Sequence, residues 1–391
     1  MTEKLYYQNS HLFTFDALVL DCRVEKKGWS VVLDRTCFFP EGGGQPADTG
    51  IIASARVWDV HERAGEIRHY TDAPLTVGER VRGSVDAEQR LRRMQNHSGE
   101  HILSGLVHSA FGYDNVGFHM GADCMIIDFS GELSWEQLME LETQVNAVIR
   151  DNLPLHIWFP SGEELQTLAY RSKLELTENV RIVEIPGVDR CACCAPHVER
   201  TGEVGLLKIL DSQRHRGGQR VSVICGMDAL EDYRLRQDSV TEISRALSAK
   251  RDEVTRAVQR LQLEQQGMKE RCDALSLALI RYMAEAEAET AGNIILFDAV
   301  LGEIAQRELV NLLMEKAGGL AAVFCGSEEK GWRYIIGSRS LDLRALTKSV
   351  NAAIDGRGGG TPQMIQGSAR GAASRIREGL NSLYASTNMA N

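Results

Sequence analysis

The chain has 391 residues, 43% of them hydrophobic, and a formal net charge of −10. That length exceeds one ordinary core, and the acidity excludes a protein that grips nucleic acid through bulk positive charge. Nine cysteines with no apolar leader in MTEKLYYQNS argue against a secreted disulfide scaffold. The expected compartment is therefore the cytoplasm, and no stretch approaches the roughly twenty apolar residues of a membrane span.

Residues 1–85 alternate short β-like runs, ALVLDCRV, WSVVLD and ASARVWDVH, with Gly, Asp and Lys turns. This pattern predicts a small β-barrel. Near its middle lies PEGGGQPADTG, where Gly42, Gly43 and Gly44 permit backbone conformations closed to other residues and leave space for a ligand. A plain structural turn is the competing reading.

Residues 86–226 predict an α+β unit. Leu91, Met94, Ile102, Leu106 and Ala110 recur at helical spacing, and His97 and His101, four apart, lie on one face. Glu100 stands between them, but its phase turns it off that face. Arg90, Arg92 and Arg93 precede the pair and read either as phosphate contacts or as a solvated face. A GFHMGADCMIIDF strand pair and a helix from about Trp135 to Asn152 follow. A strand in VRIVEI then leads into a loop, CACCAPH, that carries Cys193 and His197. Imidazole and thiolate from two separate elements suit one tetrahedral metal ion, Zn²⁺ above all, with Cys191 and Cys194 as rival sulfur ligands.

Residues 227–290 read as a long helix. Tyr233, Val240, Leu247, Val254, Leu261, Met268, Leu275 and Tyr282 recur every seven residues, the seam of a coiled coil. The companion positions alternate apolar with charged, so a bent helix or hairpin competes with a straight dimeric coil. Residues 291–391 predict a compact α/β domain, with strands in NIILFDAV, LAAVFCG and WRYIIGS around an amphipathic helix EIAQRELVNLLMEKA. This segment carries eleven Lys/Arg against nine Asp/Glu, so the acidity belongs to the rest. Its DGRGGGTPQMIQGSA reads as a glycine-rich loop able to offer backbone N–H groups to phosphate, with Arg357 and Arg370 supplying charge.

The combination of GGGQPADTG, HSGEH, CACCAPHVERTGEVG and GRGGGTPQMIQGSA resembles the long form of AlaX, the freestanding alanyl-tRNA editing proteins related to alanyl-tRNA synthetase. The resemblance spans nearly the whole chain. It implies four parts: a barrel domain over 1–85, a zinc-containing editing domain over 86–226, a coiled-coil helix over 227–290 and a DHH-associated tRNA-binding domain over 291–391. It assigns the metal to His97, His101, Cys193 and His197, selecting Cys193 among the loop cysteines. It places Gly42, Gly43, Gly44, Gln45 and Asp48 beside the substrate, with Gln45 a hydrogen-bonding candidate at the aminoacyl ester or the terminal ribose, alongside His97 and His101. Arg220 matches the arginine that ends the second editing motif. Arg357, Gly358, Gly359, Gly360 and Gln366 become tRNA contacts. Where the synthetase loop reads Cys-Gly-Gly-Thr-His, this chain has Cys194, Ala195 and Pro196 between its ligands.

The implied reaction is hydrolysis of the ester joining serine, and also glycine, to alanine tRNA, by an ATP-independent deacylase acting as a homodimer through the coiled coil or the C-terminal domain. Two other classes compete: a zinc-stabilised RNA-binding module without catalysis, and a zinc hydrolase of a small ester or amide. A full synthetase is disfavoured because the barrel begins near Met1 and leaves no length for an aminoacylation core.

Overall fold

The computed structural model describes residues 1–172, 180–298 and 300–389. The chain divides into two compact units, Met1–Thr241 and Glu242–Asn391. It is a mixed α/β, multidomain protein with eight α-helices among the described residues.

In the first unit, six antiparallel strands close into a barrel in the order 14–25, 28–33, 66–71, 55–63, 50–52 and 80–85. The alternation read from the sequence becomes an inside and an outside: Phe15, Ala17 and Val19 point into the core with Val31, Leu33, Phe38, Ile52 and Ile67. His69 is buried in the same interior, where its Nε2 lies 2.8 Å from Thr36 Oγ1 and its Nδ1 3.1 Å from the Val31 carbonyl. Gly42 and Gln45 exchange both backbone hydrogen bonds, at 3.1 and 3.0 Å, around Gly43 and Gly44. Those two residues have φ of +60° and +81°, the left-handed pair that a tight I′ hairpin turn demands.

Helix α1 (Ala87–Phe111) follows the barrel directly. The Asp86 side chain caps its first turn by accepting from Gln89 N, and Gly112 ends it in the left-handed conformation at φ 67°. Helix α2 (Trp135–Asp151) begins with a Ser134/Gln137 capping box. Both helices share one core with an antiparallel sheet ordered 207–215, 218–225, 125–129, 115–120. Met94, Ile102, Leu103 and Val107 of α1 meet Leu138, Leu141, Val145 and Ile149 of α2 there, over Ile127, Phe129, Val221 and Val223. Beyond α2 lies a short helix α3 (Gly162–Thr167), and a three-stranded sheet, 156–158, 182–185 and 189–192, carries the cysteine loop at its end.

The helical stretch read over 227–290, for which a bent helix or hairpin competed with a straight coil, is two helices, α4 (Gly226–Ala246) and α5 (Val254–Ala286). The break has a local cause: the Ser244 carbonyl accepts from Ala249 N while Ser244 Oγ donates to Ala249 O, and Ser248 takes φ +48°. Those bonds close α4 off, and the heptad position Leu247 falls in the gap. On α5, Leu261, Met268, Leu275 and Tyr282 are exposed, while Ile280 and Ala284 join a core with Leu309, Val310 and Leu313 of α6 (Glu303–Met314).

That core covers one side of a five-stranded sheet ordered 294–298, 321–327, 331–337, 364–369, 356–360, whose first pair is parallel and the rest antiparallel. The other core gathers Leu343 and Val350 of α7 (Leu343–Ala353) and Ile376 and Leu380 of α8 (Ala373–Met389) with Phe324, Tyr334 and Ile336. The stretch read as a glycine-rich loop is the edge strand Gly356–Gly360, in register with 364–369. Close packing explains its composition: a Cβ on Gly358 would stand 2.3 Å from both the Gln366 carbonyl and Tyr334 Oη.

Candidate metal centre and cleft

Helix α1 is buried without interruption from Met94 to Gly105, although that stretch contains Gln95, Asn96, His97, Ser98, Glu100, His101 and Ser104. So many polar residues in a buried stretch must be matched by partners, and here they are. His97, His101, Cys193 and His197 bring their ligand atoms within 4.8 Å of one another. Cys193 Sγ lies 3.6 Å from His97 Nε2 and 3.3 Å from His197 Nε2. The sequence left three cysteines open before the resemblance was invoked; the folded loop turns Cys193 toward the histidines.

Each imidazole is held through its other nitrogen. His97 Nδ1 lies 2.8 Å from Gln45 Oε1, His101 Nδ1 3.0 Å from Asp189 Oδ2, and His197 Nδ1 3.0 Å from Ser98 Oγ. Amide and carboxylate oxygens can only accept, so the Nδ1 atoms of His97 and His101 carry the protons. Their Nε2 lone pairs are thereby freed to converge, the arrangement in which outer partners orient metal-binding histidines. Arg171 grips Asp189 with two bonds, Nε to Oδ1 at 2.7 Å and a terminal nitrogen to Oδ2 at 2.9 Å. Asp189, Arg171 and Ser98 were not singled out from the sequence; an aspartate two residues ahead of Cys191 was the only available signal.

The electrostatics follow the same geometry. Burial would raise the Cys193 thiol, but the imidazoles of His97 and His197 outweigh it and hold the thiol well below its ordinary value. Cys191 and Cys194 are pushed up by burial to about 11. Burial drives His197 down to about 3, which keeps that imidazole neutral. Burial would also raise Asp189, yet the hydrogen bonds from His101 and Arg171 keep its carboxyl below the usual range. One cysteine and three histidines with convergent lone pairs fit a metal ion.

The cluster opens on a cleft of about 1220 Å³ whose walls include Gly43, His97, Glu100, His101, Asn115, Phe118, Arg181 and Cys193. Arg181, only 5% exposed, donates to the carbonyls of Cys193 and Ala195 at 3.0 and 2.8 Å and so braces the ligand loop.

Several expected site residues lie differently. Glu100 is not turned away: its Oε2 lies 3.8 Å from His101 Nε2. Asp48 is 1% exposed and its carboxylate is taken up by Arg90 and by Phe39 N, so it does not line the cleft. Arg90 in turn is fully buried, neither a phosphate contact nor a solvated residue. Arg92 is spent on Glu88, Asp228 and Glu231. Arg220 pairs with Asp128 across the sheet at 2.7 Å, outside the residues that line the cleft. Gln45 is fully buried against His97, a positioning residue rather than a surface of the cleft.

Of the glycines, Gly43 lines the cleft. A Cβ on either Gly42 or Gly43 would lie 3.9 Å from Cys194 Sγ, and one on Gly44 would strike the Phe118 carbonyl at 2.5 Å.

A barrel feeds the metal-ligand helix, and the remaining ligands lie on the loop that follows the strand 189–192. Residues 3–89 match the model for class II (A) tRNA synthetases, and residues 180–222 match the second additional domain of threonyl and alanyl tRNA synthetases. The alanine–tRNA ligase of Halorubrum lacusprofundi is 33% identical over 303 residues, covering 74% of this chain but only 33% of the ligase. This chain thus spans about a third of the ligase's length. The alanyl-tRNA editing protein AlaX-L of Pyrococcus horikoshii is 30% identical over 394 residues, covering 94% of both chains. The chain belongs to that family of alanyl-tRNA editing proteins. Another similar protein is the alanyl-tRNA editing protein Aarsd1 of Rattus norvegicus, 27% identical over 88% of this chain and 85% of its own.

Proposed function

We propose that this chain is an aminoacyl-tRNA deacylase that acts in trans on alanine tRNA carrying serine, and also glycine, with Zn²⁺ as its bound metal. The observation that carries the reading is the cluster of His97, His101, Cys193 and His197 at the wall of a cleft. Zinc bonds of about 2.0 Å to nitrogen and 2.3 Å to sulfur give a tetrahedral N–S edge of about 3.6 Å. The separations of 3.6 and 3.3 Å from Cys193 to its two histidines agree with that edge.

When bound, zinc would supply a positive charge at the cleft wall that orients the aminoacyl end. Four protein ligands make a closed set, which favours positioning of the ester and of a separate water over activation of water on the metal. Gln45, Asp189 and Ser98 hold the rings, and Arg181 holds the cysteine loop. The reaction consumes one water, breaks the acyl C–O bond and returns a free amino acid and a free terminal ribose hydroxyl. A polar partner for the serine hydroxyl would spare alanine, which leaves that partner unpaired.

Arg357, which is exposed, and the edge strand with Gly358, Gly359, Gly360 and the neighbouring Gln366 are the proposed tRNA contacts of the DHH-associated domain. The exposed seam on α5 is the proposed dimer element. Among the described residues no helix is long and apolar enough to cross a membrane. The proposed site of action is the cytoplasm, where charged tRNA is used.

The deciding experiment follows serine release from preformed seryl-tRNA(Ala), with alanyl-tRNA(Ala) alongside and zinc measured on the same protein. Serine release with alanine spared, at about one zinc per chain, is expected. Zinc-loaded protein that binds the tRNA and releases nothing would leave an RNA-binding module. Hydrolysis of seryl methyl ester as fast as of the tRNA would leave a small-ester hydrolase.

A further inference from the structure

Beside the metal cluster, the wall of the cleft presents a carboxylate and a buried amide oxygen that lacks a donor. Glu100 is 4% exposed and Asn115 6%. Glu100 Oε1 accepts from Ser104 Oγ and from Asn115 Nδ2, both at 2.5 Å, and Asn115 Nδ2 also reaches Ser104 Oγ at 3.3 Å. Because a carboxylate only accepts, the amide nitrogen of Asn115 must face Glu100, which fixes the orientation of the amide. Asn115 Oδ1 is therefore turned elsewhere, and it is a buried oxygen without a hydrogen-bond partner. Glu100 Oε2 lies 3.8 Å from His101 Nε2, beyond hydrogen-bond distance. Both residues line the cleft.

A buried acceptor without a donor costs free energy unless a ligand supplies one. A negative oxygen and a neutral one on linked side chains call for a compact cation with several N–H groups. A hydroxyl has one donor for two acceptors, and a phosphate or carboxylate would be repelled. A primary ammonium has three donors and the right sign.

We propose that Glu100 and Asn115 form the subsite for the α-ammonium group of the aminoacyl ester. This rests on the deacylase reading above and adds to it the group by which the amino acid is oriented. The ammonium is seated against Glu100 Oε2 and Asn115 Oδ1, which places the attached carbonyl near the metal cluster. Ser104 acts as a positioning residue, since its hydroxyl holds Glu100 Oε1 and leaves Oε2 to the ligand. The subsite is indifferent to the side chain. It distinguishes a free amino acid from one whose nitrogen is acylated, as in a peptidyl-tRNA or an N-formylated aminoacyl-tRNA.

The test uses full-length protein and two readouts. The first is single-turnover deacylation of seryl-tRNA(Ala) and N-acetyl-seryl-tRNA(Ala). The second is calorimetric binding of a non-hydrolysable 3′-serylamino-adenosine and its counterpart lacking the amino group, with metal content measured throughout. Charge-assisted hydrogen bonds of this kind are worth about 10- to 100-fold. Glu100→Gln is expected to weaken binding of the serylamino analogue by about that factor and to bind the des-amino analogue as the wild type does, with metal retained. Asn115→Ala, which keeps the charge, is expected to lose several-fold in the same selective way. Equal losses for both analogues, or none, would overturn the subsite. Should Glu100→Gln lose its metal, the Asn115→Ala result decides alone. Failure of the wild type to deacylate seryl-tRNA(Ala) would instead sink the functional reading, while selective binding of the amino analogue would still report the subsite.

Discussion

Gln45 Oε1 lies 2.8 Å from His97 Nδ1, so a residue of the barrel sets the tautomer of a residue on the following helix. The turn built by Gly43 and Gly44 serves this contact by presenting the next residue to α1. The barrel is thus part of the metal centre although it contributes no ligand.

Gln45→Leu is expected to weaken metal binding by about 10- to 100-fold without abolishing it, because the ring of His97 loses its orienting acceptor. Competition with a chromophoric chelator measures this. Affinity equal to wild type would show that the bond has no part in holding the metal.

Among the cysteines the expected order is sharp. Cys193→Ala and His97→Ala lose the metal, whereas Cys191→Ala and Cys194→Ala keep about one ion per chain, since metal affinity depends on the complete ligand set. Elemental analysis of the four variants reads this directly. Loss of metal from Cys194→Ala with retention in Cys193→Ala would reassign the sulfur.

Asp48→Asn leaves the fully buried Arg90 without its carboxylate, an uncompensated charge that costs about 3–5 kcal/mol of stability. Urea unfolding at pH 7 measures it. A change below about 1 kcal/mol, the usual worth of an exposed pair, would place this ion pair at the surface in solution.

Glycine substitutions separate strain from space. Gly43→Ala faces an unfavourable φ of +60° but no close atom, while Gly44→Ala at φ +81° also drives a Cβ to 2.5 Å from the Phe118 carbonyl. Gly44→Ala is expected to be the more destabilising by at least about 1 kcal/mol, as a backbone clash adds to a left-handed conformation. Thermal unfolding compares them, and equal melting temperatures would contradict the packing described.

Low pH is expected to weaken the barrel through His69. Burial lowers this histidine from 6.5 to about 4. The folded state therefore holds it neutral while the unfolded chain takes up a proton below about 6.5. Stability is complete above that pH, falls as the pH drops toward 4, and levels off below. At pH 5 this one group removes roughly 2 kcal/mol. Denaturant titrations across pH 4–8, compared with His69→Gln, isolate the slope; an equally steep profile in the variant would assign the effect elsewhere.

Periodicity alone determined much of this molecule. Alternation in residues 17–24, 29–34 and 53–61 carried three of the barrel strands, and the i, i+4 spacing of His97 and His101 put two ligands on one face, because both depend only on local backbone geometry. The seven-residue seam from Tyr233 to Tyr282 carried the helical character of that region but not the position of its break, since the turn at Ser248 is made by Ser244 folding onto Ala249, a bond that no heptad count registers. The GRGGG segment carried its glycines but not their purpose: sheet register against Met364–Ala369 made a packed edge strand of what composition reads as a loop.

Tertiary structure alone decided the partners of charged and polar side chains. Asp48 sits in a motif that resembles a substrate loop, yet a buried charge must be neutralised, and Arg90 from the next helix neutralises it. Glu100 lies off the histidine face by helical phase, yet two methylene groups give its carboxylate the reach to return. Asp189 and Asn115 acquire meaning only when folding brings their strands against α1. Local sequence specifies where the backbone goes; which acceptor meets which donor at the ligands is set by contacts between segments 52 to 99 residues apart, and that is why the ligands were legible and their supports were not.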